Sequence, residues 1–390
     1  MTTYCFTAQA LTPIHVGSAV EIDPLQFVLD RGFLLRFRPA QVIGELDDSE
    51  RRRFLSLVDR GDLKGIQLFF RTHLKAEDRI LRVGVSKRFE EEFSLKAGSP
   101  DRSFRVDMMP RNPVSEKAFL PGSSIKGAIR TAVVNYFANL DPQTKPRVHS
   151  EVKQAAVEKK AKVLEESALN RPSDQTEKDV FRLIKVRDVE LPDEATRIDR
   201  AMNWNPNKPG SENIQMWVER LVSFADTWKP PAFEVEIQID EEKMNRPEIA
   251  RLLGRKLDAK TLFDACNRFY WGRMLAEADK FYGRGKNDKH WKAIHERFPR
   301  AKLPDGQVMI LDPSTPYWFS EQQPRKRVLL RVGRFSHFES LSVDGLRQGY
   351  NVQARRPIRD MGSTRTLCAM DNGNLAMPFG WLILTTGDCL

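Results

Sequence analysis

The sequence predicts an α+β protein, and three observations carry that class. Apolar residues alternate with period two at Tyr4, Phe6, Ala8 and Ala10, the pattern of a half-buried strand. The same alternation returns at Phe233, Val235, Ile237 and Ile239. Between them, Ile125, Ala128, Ile129, Ala132, Val133, Tyr136 and Phe137 recur at helical spacing. A chain of 390 residues is long enough for two cores. The texture changes at Lys229-Pro230-Pro231, so the expected division is 1–230 and 231–390.

Composition narrows the class further. Hydrophobic content of 41% with 30% charged residues is that of a globular protein. The net charge of +10, from 63 basic and 53 acidic residues, suits an anionic partner without identifying one. The four cysteines, Cys5, Cys266, Cys368 and Cys389, have no paired spacing, so no zinc site, disulfide framework or cofactor is expected. Neither a leader pattern nor a membrane-length apolar run is present, so the expected location is cytoplasmic, with no membrane partner.

In chain order, the strand of residues 3–11 runs into a Pro- and Gly-marked loop over 12–18 containing His15, Gly17 and Ser18. Residues 26–30 and 33–37 read as a hairpin turning at Arg31-Gly32. Residues 39–80 read as helices, and 94–118 as a polar loop. Pro121-Gly122-Ser123-Ser124-Ile125-Lys126-Gly127-Ala128-Ile129-Arg130-Thr131 reads as a glycine turn opening a helix over 123–139. Ser123 or Ser124 is the expected cap. Lys126 and Arg130, four apart, share a face off the apolar stripe, beside the positive end of the helix dipole. That arrangement suits a phosphate, although a capped helix with two surface cations is equally the description of an ordinary surface helix. A Walker A loop is excluded, because the spacing from Gly122 to Lys126 is too short.

The charged stretch 141–179 reads as an insertion carrying a solvent-facing helix over 147–169. Residues 181–191 read as a strand, 203–211 as a loop and 213–222 as a short amphipathic piece. A helical region follows from about 247 to 281 and ends in a basic glycine turn with Arg284 and Lys286. The strand over 328–337 breaks at Gly333, among Arg331 and Arg334. Arg355, Arg356 and Arg365 form a second basic region. Phe335, Phe338 and Tyr350 lie among these cations, as base-stacking residues or as core. The apolar segment 377–385 is expected to close the second sheet.

Several of these segments together resemble one family. Leu11-Thr-Pro-Ile-His-Val-Gly-Ser18, Phe119 to Thr131, Ile184-Lys-Val-Arg-Asp188, Arg331-Val-Gly-Arg-Phe335, Gly362-Ser-Thr-Arg-Thr366 and Pro378-Phe-Gly-Trp-Leu382 resemble the motifs of CRISPR RAMP proteins. Their order and spacing are most similar to the fifth-subunit family of the type III-A (Csm) effector complex. The resemblance implies two ferredoxin-like, RRM-related domains and a non-catalytic role. Such a subunit caps the backbone filament at the 3′ end of the CRISPR RNA (crRNA), and 3′-end maturation requires it. The implied partners are crRNA, held through phosphates and sugars, the adjacent backbone subunit, the small helical subunit, nucleases that trim the 3′ end, and target RNA.

The expected RNA contacts are therefore His15, Gly17, Ser18, Gly122, Ser123, Ser124, Lys126, Gly127, Arg130, Arg284, Lys286, Arg331, Gly333, Arg334, Arg355, Arg356 and Arg365. Two alternatives stand beside this reading. One is a metal-independent endoribonuclease of the same superfamily with His15 as base. The other is a subunit of a different, Cmr-like, type III complex.

Overall fold

The computed structural model describes the chain except residues 97–103, 172–174, 176–177, 209–214, 228, 254–256, 283–299, 303–307, 311–326, 347–348, 352–354, 359–360, 372–375 and 387–390. It is an α+β fold built on two large sheets. Arg284 and Lys286 lie outside the described residues, as does the side chain of Arg356.

Seven elements make the frame: β1 (Thr2–Ala10), α1 (Gly122–Asn139), β2 (Ile184–Val186), β3 (Phe233–Ile239), α2 (Ala259–Glu277), β4 (Arg327–Arg331) and β5 (Trp381–Thr386). The first sheet runs β4-β5-β1-β3-β2, with every neighbouring pair antiparallel. Taken along the chain, β1-α1-β2-β3-α2-β5 in the spatial order β5-β1-β3-β2 is the split βαβ arrangement of ferredoxin-like folds, with β4 added at the edge. The period-two apolar sets of β1 and β3 face a common core with the stripe of α1. Tyr270 of α2 donates from its hydroxyl to the Ala128 carbonyl of α1 at 3.0 Å. Asn267 brackets β4, donating to the Arg327 carbonyl and accepting from the Leu329 amide.

This topology changes the expected chain division. β3, on the far side of residue 231, inserts between β1 and β2, and β5 pairs with β1. The break in texture at 229–231 therefore marks the entry to β3, and both sides of it contribute to one sheet. The 377–385 segment, expected to close the second sheet, divides: Ala376–Pro378 pairs with Arg365–Ala369 in the second sheet, and Trp381–Thr386 enters the first as β5.

The second sheet is assembled from segments inserted between frame elements. Its order is Glu21–Ile22, Val106–Asp107, Gln215–Leu221, Thr196–Trp204, Arg79–Val85, Phe33–Phe37 and Phe27–Asp30, with Arg365–Ala369 also paired to Thr196–Trp204. The predicted hairpin is present, Phe27 to Asp30 pairing Arg36 to Phe33. Residues 215–221 form a strand, because they find a partner in 196–204 that local amphipathicity does not reveal. Residues 184–190 split into β2 and a short strand, Val189–Glu190, that pairs with Phe119–Leu120 just before α1.

The 147–169 helix is two helices, Lys145–Gln154 and Lys160–Ala168, separated by a turn over Val157–Lys159. Part of its thin stripe is buried, since Val148, Val152 and Ala168 join the core that contains α1. The insertion is consequently packed against the frame as well as facing solvent.

Candidate nucleic-acid interface

The tight backbone contacts of three loops set the site. Gly333 follows β4 with φ of +91°, a conformation that favours glycine, and a Cβ there would lie 2.4 Å from the His15 carbonyl oxygen. The Arg334 amide donates to that same carbonyl at 2.9 Å. Gly380, with φ of +102°, donates to the Pro13 carbonyl and accepts from the Val332 amide. The 12–18 loop is thus clamped between the turn after β4 and the turn before β5. α1 joins the assembly from the other side. Its Gly122 packs against the end of β2, where a Cβ would meet the Val186 oxygen at 2.3 Å, and its amide donates to Asp188 Oδ1 at 2.8 Å.

The result is an open groove of about 870 Å³. Gly17, Ser123, Ser124, Gly127, Gly333 and Arg334 line it, all of them residues singled out in the sequence from three separate segments. Thr131 and Asp107 line it as well. Gly127 is exposed on the α1 surface, and a Cβ there would meet nothing within 4 Å. Glycine in a helix interior costs about 1 kcal/mol against alanine, so a position with no internal contact to explain it is fitted for close approach from outside.

The electrostatics of the floor rest on one chain of contacts. The His15 ring is buried beneath the loop, stacked on Phe335, with Nδ1 2.7 Å from the Glu219 carbonyl and Nε2 3.6 Å from Asp107 Oδ2. Asp107 is also paired with Arg334. Burial alone would raise the Asp107 pKa, but His15 and Arg334 outweigh it and hold the carboxyl below its usual range. The Arg334 side chain lies over Gly17 and stays about half exposed (48%), with its guanidinium at the groove surface. Lys126 of α1 does not itself line the groove; burial and Arg130 lower its ammonium pKa against the opposing pull of Asp179. Among the described residues, no hydrogen bond or ion-pair contact holds the Lys126 ammonium.

Several expected contacts take other roles. Neither Ser123 nor Ser124 caps α1, since Pro121 occupies that position and the Asp188 carboxylate accepts the first amide instead. A carboxylate already sits where the helix dipole would hold a phosphate, which weakens the anion site expected there. Arg130 is committed to the insertion: it grips Asp179 through two hydrogen bonds of 3.0 and 2.8 Å and pairs with Glu165. His15 is only 1% exposed and does not line the groove, which its neighbours Val16 and Gly17 do. Ser18 donates from its hydroxyl to the Met108 carbonyl and so ties the loop to the second sheet.

Arg331 and Arg365 are buried. Arg331 makes two contacts of 3.1 Å with Glu277 of α2, and Arg365 reaches Glu277 at 2.8 Å and Glu339 at 2.6 Å. Two cations and two carboxylates balance there, so Arg331, although it lines the groove, has its guanidinium turned inward onto Glu277. Phe335 is partly buried and packs on the core residue Phe379 at 4.8 Å, whereas Tyr350 is exposed. Arg355 is exposed at φ of +47°.

The sequence model of the RAMP superfamily matches residues 7–295, about three quarters of the chain. The chain belongs to the RAMP superfamily. Within it, 208 residues are 26% identical to the CRISPR system Cms protein Csm5 of Methanocaldococcus jannaschii, covering 51% of this chain and 46% of that relative. The match thus spans about half of the relative's length. A chain in the cryo-EM structure of the Csm–crRNA–target RNA ternary complex of a type III-A CRISPR-Cas system has a similar fold, with TM-score 0.63, 17% identity and coverage of 98% and 100% of the two chains. The crystal structure of T. onnurineus Csm5 is similar over 97% and 99%, with TM-score 0.51 and 16% identity.

As a RAMP protein, the chain relies on residues that composition and spacing did not single out. Asp107 lies in the segment read as a polar loop, Glu277 within a long helical stretch, and Thr131 was noted only as the end of a motif. Asp188 was visible as the aspartate after the β2 strand, but its place at the start of α1 follows only from the fold.

Proposed function

We propose that this RAMP protein is the non-catalytic RNA-binding subunit at the crRNA 3′ end of a type III-A Csm effector complex, capping the backbone filament and required for 3′-end maturation. One observation carries the reading: the 12–18 loop, the first turns of α1 and the 331–336 loop converge on a single open groove. Its lining includes three glycines, three serines and Thr131 beside Arg334, together with apolar residues and the carboxylates Glu21 and Asp107, and Lys126 is the chain neighbour of the lining residue Gly127. Small residues and backbone bring phosphates and sugars close, and the cations neutralise charge without reading bases. A guide of variable sequence needs that tolerance. The partners that follow are crRNA, the adjacent backbone subunit, the small helical subunit, and the nucleases that trim the end. The match to Csm5 favours the Csm type over a Cmr-like complex. His15 is poorly placed as a base for RNA cleavage, because its ring is buried with both nitrogens directed at protein oxygens.

The test is to co-express the chain with the remaining complex subunits and a CRISPR array, then sequence the ends of the bound RNA. Arg334→Ala with Lys126→Ala is expected to lengthen or roughen the 3′ ends and to reduce incorporation of this subunit. Unchanged ends and unchanged assembly would refute the placement.

A further inference from the structure

A second cleft opens beside the groove. Its walls are the outer face of α1 at Thr131 and Val134, the Lys160–Ala168 helix at Ala161 and Leu164, and the segment after β4 at Phe338 and Leu341. It measures about 400 Å³, within the range of small-ligand sites. Thr131 and Leu341 line both this cleft and the groove, so the two cavities share a mouth. Leu341 is 62% exposed and Val157 72% exposed, large apolar side chains left standing in solvent. The far end is polar, closed by the Arg130–Glu165 pair. Apolar walls, one half-buried aromatic ring and a polar end match a flat heteroaromatic group with hydrogen-bonding edges.

Resting on the RNA-binding reading above, we infer that this cleft receives one nucleobase turned out of the strand that lies in the groove. The strand passes the shared mouth at Thr131 and Leu341. Its phosphates stay with Arg334 and the glycine turns, and a single base leaves the stack to enter between Leu164 and Phe338. Stacking on an aromatic ring tolerates any base, which keeps the subunit indifferent to guide sequence. The insertion, which carries the outer wall, thereby gains a role in holding RNA. An apolar anchor from a neighbouring subunit is the competing occupant. Continuity with the groove and the polar end favour the base.

The test uses the full chain and short single-stranded RNAs carrying 2-aminopurine at one position in turn. Ala161→Phe fills the cleft from an exposed helix position. For the wild type, one labelled position should brighten as its base leaves the stack. In Ala161→Phe that signal should vanish, with affinity falling only roughly fivefold, as expected for one lost stacking contact. Arg334→Ala reads the groove separately, by affinity and salt dependence. RNA that binds with no unstacked position, or a signal that survives Ala161→Phe, overturns the inference and leaves the RNA reading intact. Failure of all RNA to bind overturns both. If Ala161→Phe instead releases the neighbouring backbone subunit with RNA fluorescence unchanged, the cleft belongs to protein and the inference falls.

Discussion

Gly333 presses against the His15 carbonyl so closely that a Cβ would sit 2.4 Å from the oxygen, and the next residue's amide donates to that same oxygen. The contact fixes the 12–18 loop against the turn after β4, and everything in the groove depends on their register. Arg334 reaches Asp107 and the groove surface only because Gly333 turns the chain at positive φ.

Two glycine substitutions should therefore act in opposite directions. Gly333→Ala meets both a forbidden backbone conformation and a backbone oxygen, and should cost roughly 1–3 kcal/mol of stability. Gly127→Ala adds a methyl group in open space on α1 and should stabilise by up to about 1 kcal/mol. RNA affinity should fall in both. Denaturant titration beside RNA binding checks this, and a Gly127→Ala protein that binds RNA as well as the wild type would contradict the assigned role of that surface.

The two arginines flanking Gly333 should separate cleanly. Removing the Arg331 side chain leaves Glu277 short of a partner in the interior, at a cost of about 3–5 kcal/mol. Arg334→Ala takes one partner from Asp107 but leaves it His15, so the stability cost should be smaller, and the main expected effect is weaker RNA binding with a salt slope smaller by about one. Equal losses of stability in the two variants would show that Arg334 is structural.

This pair also shows what the sequence discloses and what it withholds. Gly333 is legible as a break in a strand, and the basic cluster around it is plain. Which arginine faces in depends on Glu277, 54 residues away on α2, and no local pattern encodes that. The period-two sets of β1 and β3 and the stripe of α1 are likewise legible, because alternation reports burial directly. Their pairing is not, since β3 lies between β1 and β2 only through long-range register. Residues 215–221 illustrate the same limit: a strand whose partner strand decides its state. The helix opening after Pro121 is legible in sequence, while the acceptor for its first amide, Asp188, arrives from the link that follows β2.

Acid should loosen the groove. The Asp107 carboxyl has a folded pKa below its ordinary value of about 3.9, so its contribution is present above that value and is lost as pH falls through the folded one. Protonation removes the charge that faces His15 and Arg334. Stability measured from about pH 6 down to pH 3 should decline, and Asp107→Asn should decline less over the same window. An unchanged slope in the variant would mean that other carboxylates carry the acid sensitivity.

Arg130 offers the sharpest test of the link between insertion and frame. Its two hydrogen bonds to Asp179 and its contact with Glu165 join α1 to the Lys160–Ala168 helix, and its guanidinium lies 4.9 Å from the Phe181 ring centre. For Asp179, burial favours the neutral acid, yet the bonds from Arg130 prevail and lower the pKa, so the pair is charged at neutral pH. Arg130→Ala should weaken docking of the insertion and raise amide hydrogen exchange over 160–171, while β1, β3 and β5 remain protected. Arg130→Lys keeps the charge but loses the planar fork, and should rescue only part of that protection. Exchange that rises uniformly through the first sheet would instead make Arg130 part of the global core. RNA affinity that drops in Arg130→Ala with exchange unaltered would return the residue to the groove as a direct phosphate contact.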